Sequence, residues 1–315
     1  MLKEKILIFG NGQIGNFYNN YFKPKKINSQ IVKCDITKLN QVKAVIKKYK
    51  PTVAINTAAK TNLEWCGQNK LEAFSVNVLG ADNIAQICSQ EKIYFIHFSS
   101  GCIFESRDVK DAKKEDDVPN PKAYYSWTKV WAEQMIEFNK SKDFKYIILR
   151  PRQPVSAQVS HKNMLVKFLT FKNFIDVPNT ATVLEDLMDW TWAIIRKKPV
   201  GILHAANPGF STPYEMARLL KKYVLPSLPI KKISKQELNK LTPNRRVDTI
   251  LDVSKLEKLG VKIKPLDIRI KEIVKELGQN IKTADKKLLK AELEKTLVQS
   301  KTRTVVNDEW RELLK

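Results

Sequence analysis

Lys5-Ile-Leu-Ile-Phe9, followed at once by Gly10-Asn-Gly-Gln-Ile-Gly15, decides how the rest of the chain is read. The apolar run has the length and composition of a strand buried on both faces. The glycines at 10, 12 and 15 then make G-x-G-x-x-G at the start of a helical stretch. That spacing serves a tight turn, close approach of a pyrophosphate, and close packing of helix on strand. The open N–H groups of the helix complete an anion site. Gly10, Gly12, Gln13, Ile14 and Gly15 are therefore the candidate cofactor-binding turn.

Outward from the turn, strands and helices alternate. Strands are expected at Gln30–Cys34, Thr52–Asn56, Ile93–Ser99 and Tyr146–Arg150. Helices are expected at Leu39–Lys48, Glu72–Ser89 and Tyr125–Phe138, and a charged loop over residues 105–122. Such alternation predicts an α/β fold with a doubly wound, Rossmann-like parallel sheet over residues 1–150. Prolines then break residues 151–278 into shorter pieces, with helices expected at Lys162–Thr170, Val183–Arg196 and Pro213–Val224 and a strand at Gly201–Ala205. This is read as a smaller substrate-binding region with possible returns to the main sheet. Residues 279–315 form a charged amphipathic tail, with leucines at 288, 289, 293 and 297. Its apolar side suits packing on its own domain, on a partner subunit or on a membrane surface.

With 315 residues the chain can bury a substantial core, and 56 Lys+Arg against 33 Asp+Glu leave a net charge of +23. The positive charge is diffuse. It suits attraction of anions or simply a lysine-rich solvated surface. No nucleic-acid module accompanies it, so no nucleic-acid partner is expected. The four cysteines, Cys34, Cys66, Cys88 and Cys102, have no paired or metal-ligating spacing, so no metal is expected and a reducing compartment is. No signal-peptide pattern or membrane-length apolar run is found, which makes cytoplasm the expected location, with no membrane partner expected.

The chemistry-bearing motif is Tyr125-Ser-Trp-Thr-Lys129. Four residues apart on a helix, Tyr125 and Lys129 face one cleft. A phenol with an ordinary pKa near ~10 gains acid–base competence if a nearby ammonium lowers that value. Lys129 also suits the nicotinamide ribose. Ser100 lies 25 residues upstream of Tyr125, at the end of an apolar strand, where ligands of such sheets bind. Its hydroxyl can stabilise a developing oxyanion. Asp35, 20 residues past Gly15, is placed to hold the adenine ribose or to touch adenine from the following turn. The neighbouring Lys33 could instead meet a 2′-phosphate. The cofactor is expected to be NADP or NAD, with a slight preference for NADPH.

Taken together, these motifs resemble an extended short-chain dehydrogenase/reductase, within it the dTDP-4-dehydrorhamnose reductase family, and most closely the plant-type nucleotide-rhamnose 3,5-epimerase/4-reductase. The resemblance is carried by N-T-A-A-K-T at Asn56–Thr61, W-C-x-x-x-K at Trp65–Lys70, S-S-G-C-I-F-E at Ser99–Glu105, and K-E-D-D-x-P-N at Lys114–Asn120. R-P-R-Q-P-V-S at Arg150–Ser156, D-V-P-N-T-A-T at Asp176–Thr182 and A-N-P-G at Ala206–Gly209 extend it. It runs from residue 5 to about 277 and leaves the tail outside. It implies reduction of the 4-keto group of a nucleotide-linked 4-keto-6-deoxyhexose, coupled to 3,5-epimerisation, with a nucleotide-diphosphate sugar as partner and a homodimer as a possible assembly. By the same resemblance Cys102 and Lys167 exchange protons at C3 and C5, Asn163 and Arg246 contact substrate, and Asn77 supports the active-site scaffold. Arg245 is an alternative to Arg246, and Cys102 and Lys167 also suit plain packing and solvation. Two features depart from relatives. The glycine turn lacks the Thr-Gly-Trp-Ile-Gly form of the plant-type enzymes. After Ser100 stand Gly101 and Cys102, where 4,6-dehydratases carry acids and the reductases of the dTDP pathway an Asp-Tyr pair. Reductase-only and non-catalytic regulatory readings stand as alternatives.

Overall fold

The structure is a computed structural model that describes residues 4–139, 142–241, 247–300 and 306–315. Its centre is a six-stranded sheet in the order β2-β1-β3-β4-β5-β9, with every neighbouring pair parallel. The first strands and helices are β1 (Ile6–Phe9), α1 (Gln13–Phe22), β2 (Ser29–Val32), α2 (Leu39–Tyr49) and β3 (Val53–Asn56). Alternate residues of β1 feed opposite cores, as a doubly covered sheet requires. Ile6 and Ile8 join Phe17, Tyr18 and Trp190 on one face. Leu7 and Phe9 join Val42, Ile46 and Ile84 on the other. This is the expected α/β doubly wound fold.

One departure bears on the site. The helix expected over 72–89 is present as α4 (Lys70–Phe74) and α5 (Gly80–Gln90) but carries a π-helical turn at Ser75–Leu79 between them, and a short α3 (Leu63–Gln68) precedes it. A π turn inserts one extra residue and re-aims side chains, often at functional sites. Here it turns Asn77 inward, where Nδ2 donates to Lys60 O at 2.9 Å and to Thr128 Oγ1 at 3.0 Å, while Oδ1 accepts from Lys60 N at 2.7 Å. Next come β4 (Tyr94–Phe98), a 3-10 turn at Gly101–Ile103, α6 (Tyr124–Phe138) and β5 (Tyr146–Arg150).

Beyond Arg150 the chain makes β6 (Pro154–Val155), α7 (Met164–Phe168), β7 (Asn173–Ile175), β8 (Thr182–Val183), α8 (Leu184–Lys197) and β9 (Gly201–His204). β9 pairs with β5 in the main sheet, and α8 packs under it beside α1, joined by a 2.6 Å hydrogen bond between Tyr18 and Thr191. The remaining elements are α9 (Pro213–Tyr223), β10 (Lys231–Ile233), α10 (Lys235–Leu241), α11 (Ser254–Glu257), α12 (Leu266–Thr283) and α13 (Lys286–Ser300). The apolar residues of α9, α12 and α13, with those of α7, β7 and β8 and Trp310 of a last 3-10 turn at Glu309–Leu314, form a second core that includes Leu289 and Leu293. The tail therefore packs on its own C-terminal lobe. Among the described residues no helix is long and apolar enough to cross a membrane.

Candidate active site

The turn after β1 has the shape its glycines predict. Gly10 sits at φ +104°, and a Cβ there would lie 2.5 Å from Ala58 N. A Cβ on Gly15 would fall on the Gly10 carbonyl, whereas one on Gly12 would enter open space. α1 starts at Gln13 with no side-chain cap and no acid in its first turn. Its first N–H groups are thus left for an anion to meet. Gln13 Nε2 is buried without a partner in the protein, and Ile14 packs against the core. These residues fit a pyrophosphate. Asp35 lies exposed just past β2. Its Oδ1 accepts from Thr37 N at 3.0 Å and Thr37 Oγ1 at 2.7 Å. Those two bonds hold its carboxyl below the usual range, so it stands as an anion at the rim beside the turn.

β4 and α6 bring the second group together. Ser100, at the end of β4, caps the 3-10 turn, with Oγ accepting from Cys102 N at 3.2 Å. The same hydroxyl donates to Cys102 Sγ at 3.0 Å, and Ser126 Oγ donates to that sulfur at 3.2 Å. Two hydroxyls thus converge on one sulfur. Cys102, Tyr125 and Cys66 share one buried cluster with Ala73 and Val247. Tyr125 is also hydrogen-bonded to Ser100. Lys129, 3% exposed, donates from Nζ to Phe98 O at 2.8 Å and stands 6.0 Å from the Tyr125 ring centre. Thr128 Oγ1 donates to Tyr125 O at 2.6 Å and meets Asn77, so the π turn braces the first turn of α6.

The electrostatics correct one expectation. Burial pushes the Tyr125 phenol well above its ordinary value, reinforced by Cys102 and opposed by Ser100 and Arg152. Lys129 is the group brought down, by burial, to about 8, with Cys102, Glu133 and Cys66 opposing the fall. Burial costs the phenolate more than the Ser100 hydrogen bond and the Arg152 charge return. Tyr125 is therefore held as a protonated acid, the form a carbonyl reduction needs. Cys66 is also pushed up, to about 11, by burial, which keeps it a neutral thiol.

The helix that carries Tyr125 and Lys129 is anchored from below. Arg150 on β5 grips Glu133 on α6 through Nε to Oε1 at 2.9 Å and Nη2 to Oε2 at 2.7 Å, with both side chains almost fully buried. Ser99 adds a hydrogen bond to the same carboxylate. Gly101 has its own steric reason. A Cβ there would lie 2.8 Å from Leu251 Cδ1 and 3.3 Å from Arg152 Cβ, so any side chain at this position requires those two neighbours to shift.

Other expected residues fare differently. Asn163 is wholly buried, and its Nδ2 donates to Ser156 O at 2.7 Å and Gln158 O at 2.8 Å, while Oδ1 caps Leu165 N at 3.2 Å. Its polar hydrogens are committed to backbone, so it is a loop staple and helix cap rather than a substrate-facing group. Lys167 stands half-buried on α7. Arg246, with its alternative Arg245, lies outside the described residues. Two neighbours went unread in the sequence. Ser126 stands inside the Tyr125–Lys129 motif itself. Arg152, in R-P-R-Q-P-V-S, places Nη2 on Asn179 Oδ1 at 2.7 Å and Val247 O at 2.6 Å, and its charge reaches Tyr125. Among the described residues no group of acids, histidines and cysteines could hold a metal.

Known proteins resemble the chain in sequence and in fold. The chain is 27% identical over 263 residues to the bifunctional dTDP-4-dehydrorhamnose 3,5-epimerase/dTDP-4-dehydrorhamnose reductase of Arabidopsis thaliana, covering 80% of this chain and 86% of that protein. It spans 39% of the length of a trifunctional Arabidopsis UDP-glucose 4,6-dehydratase/3,5-epimerase/reductase that it also matches. The fold is shared with the crystal structure of the L780 UDP-rhamnose synthase from Acanthamoeba polyphaga mimivirus (TM-score 0.81, 23% identity, 87% of this chain and 99% of that one). It is shared too with the dTDP-4-dehydrorhamnose reductase of Bacillus anthracis in complex with NADP (TM-score 0.77, 20% identity, 88% and 99%). Residues 4–279 match the RmlD substrate binding domain family, and the chain belongs to that family.

Proposed function

We propose that this protein reduces the 4-keto group of a nucleotide-linked 4-keto-6-deoxyhexose with NADPH or NADH and first inverts C3 and C5 of the same sugar, giving a UDP- or dTDP-rhamnose-like product. The observation that carries the reading is the convergence of the Ser100 and Ser126 hydroxyls on the Cys102 sulfur, which is buried beside Tyr125, with the buried Lys129 four residues further along the same helix. The plant bifunctional relative, and NADP in the Bacillus structure, support the choice of substrate and cofactor class.

In this reading the glycine turn and the open start of α1 hold the pyrophosphate, Asp35 meets the adenosine end, and Lys129 holds the nicotinamide ribose. A reduced nicotinamide bound there supplies the hydride for the sugar C4. Tyr125 gives its proton to O4 as the carbonyl becomes an alkoxide, and Ser100 hydrogen-bonds that oxygen while charge builds on it. For epimerisation, the C3 and C5 protons are acidic because their carbons flank the C4 carbonyl. The Cys102 thiolate takes such a proton, and the electron pair passes into the carbonyl as an enolate. Lys167 returns a proton to the opposite face. The pair resets by exchange with solvent, so solvent deuterium enters at both carbons.

The assay is oxidation of NADPH or NADH with UDP- and dTDP-4-keto-6-deoxyglucose. Unchanged nicotinamide absorbance with both sugars and both cofactors refutes the proposal. Cys102→Ala is expected to stop deuterium entry at C3 and C5 while leaving reduction of a pre-epimerised sugar in place. A reductase-only reading has one observation in its favour, the packing of Cys102 beside Ala73 and Val247. Wild-type reduction of the pre-epimerised sugar without deuterium entry would select it.

A further inference from the structure

α7 has only five residues, too few for a helix to hold itself in place by its own hydrogen bonds. The end of the chain, beyond the segment matched by the family, grips it on both sides. On the far side the carbonyls that a longer helix would satisfy are taken by one residue. Asn307 donates from Nδ2 to Leu169 O at 3.1 Å and to Phe171 O at 2.7 Å, and from its backbone N to Thr170 O at 3.0 Å. Phe171 and Val306 pair as an antiparallel bridge. On the near side Glu292 of α13 accepts, through Oε2, from both the backbone N and Nδ1 of His161 at 2.7 Å. Between them Thr296 Oγ1 donates to Thr170 Oγ1 at 3.3 Å. Leu289, Leu293 and Trp310 share a core with Leu165, Val166, Phe168 and Leu169. Leu289, Leu293 and Thr296 lie on one face of α13, the face presented to α7.

We infer that α13 and residues 306–315 act as an internal clamp whose Glu292 and Asn307 are positioning residues for epimerisation, because they fix α7 and with it Lys167. The inference rests on the proton-exchange role proposed for Lys167. The physical reason is geometric. Proton transfer tolerates little displacement of the donor, whereas hydride transfer and protonation of O4 depend on α1, β4 and α6, which the clamp does not touch.

Deleting the clamp would uncover the core, so point variants carry the test. Glu292→Gln, Asn307→Ala and the conservative Glu292→Asp are compared with wild type and with Lys167→Met. Deuterium entry at C3 and C5 is read beside NADPH oxidation on a pre-epimerised 4-keto sugar. Expected is a fall of roughly ten-fold or more in deuterium entry for Glu292→Gln and Asn307→Ala. Glu292→Asp should recover most of it, and reduction should stay within about two-fold in the Glu292 and Asn307 variants, since neither residue contacts Ser100, Tyr125 or Lys129. Wild type that admits no deuterium, or Lys167→Met that admits it unchanged, overturns the underlying reading. If wild type exchanges, Lys167→Met does not, and the clamp variants match wild type or lose both reactions equally, the clamp itself is overturned.

Discussion

Replacing Glu133 with Gln tests how α6 is held over the sheet. The Glu133 and Arg150 side chains are 6% and 3% exposed, and they meet through two parallel hydrogen bonds of 2.9 and 2.7 Å. Removing one charge of such a buried pair costs about 3–5 kcal/mol, because the other is left in a poorly solvating interior. The lower end applies here. The Glu115 carbonyl still accepts from Arg150 Nη1 at 2.9 Å, and the Gln amide oxygen can still accept one guanidinium hydrogen. At about 2 °C per kcal/mol for a chain of this size, a loss of about 3 kcal/mol lowers Tm by roughly 6 °C. Replacing both partners, Glu133→Leu with Arg150→Met, leaves no orphaned charge and is expected to return stability to within about 2 kcal/mol of wild type. The measurement is thermal unfolding followed by circular dichroism. A single variant melting within about 1 °C of wild type, or a double variant no better than the single, would refute the reasoning. The same substitution also removes a negative charge that supports the Lys129 ammonium from one helical turn away. The alkaline limb of the reaction should therefore move to lower pH in Glu133→Gln.

Tyr125→Phe removes the proton donor and is expected to lower kcat for reduction by about 10²–10⁴; retention of activity within a few-fold would exclude Tyr125 as the acid. Burial favours neutral Lys129, whose value falls to about 8. The ammonium is thus lost as pH rises through that value, and kcat/KM for reduction should fall above about pH 8; a limb near the ordinary lysine value would contradict the geometry. Glu185 is pushed from 4.5 up to about 7 by burial, against a hydrogen bond from Ala157 N. Between those values the folded chain keeps a proton that the unfolded chain releases, so stability is full below about 4.5 and declines as pH rises to about 7. Glu185→Gln should remove that slope and gain on the order of 2 kcal/mol at pH 8, discounted for the residue's partial exposure. Parallel unfolding curves for wild type and variant between pH 5 and pH 8 would count against it.

Local sequence was enough where chemistry is confined to one turn or one helix. Lys5–Phe9 followed by glycines 10, 12 and 15 specifies a buried strand and a tight turn, since only glycine takes φ +104° there beside Ala58. The Tyr125–Lys129 spacing specifies a shared helix face. Other features had a readable signal that went unread. α12 carries Leu266, Ile270, Ile273, Val274, Leu277 and Ile281 at helical spacing, and Ser126 stands inside the motif already singled out. Tertiary structure decided what depends on distant segments and on burial. The π turn at Ser75–Leu79 exists because Asn77 finds Lys60 and Thr128, partners remote in sequence. The direction in which the Tyr125 and Lys129 titrations move follows from how completely α6 is covered, and no spacing rule contains that quantity. Asn163 looked available for substrate until its hydrogens were found on Ser156 and Gln158. The tail's amphipathic pattern named an apolar face but no surface for it; residues 161–171 became that surface only when the chain folded back on α7. Periodicity reports which side of an element is apolar, whereas what covers that side is a property of the whole fold.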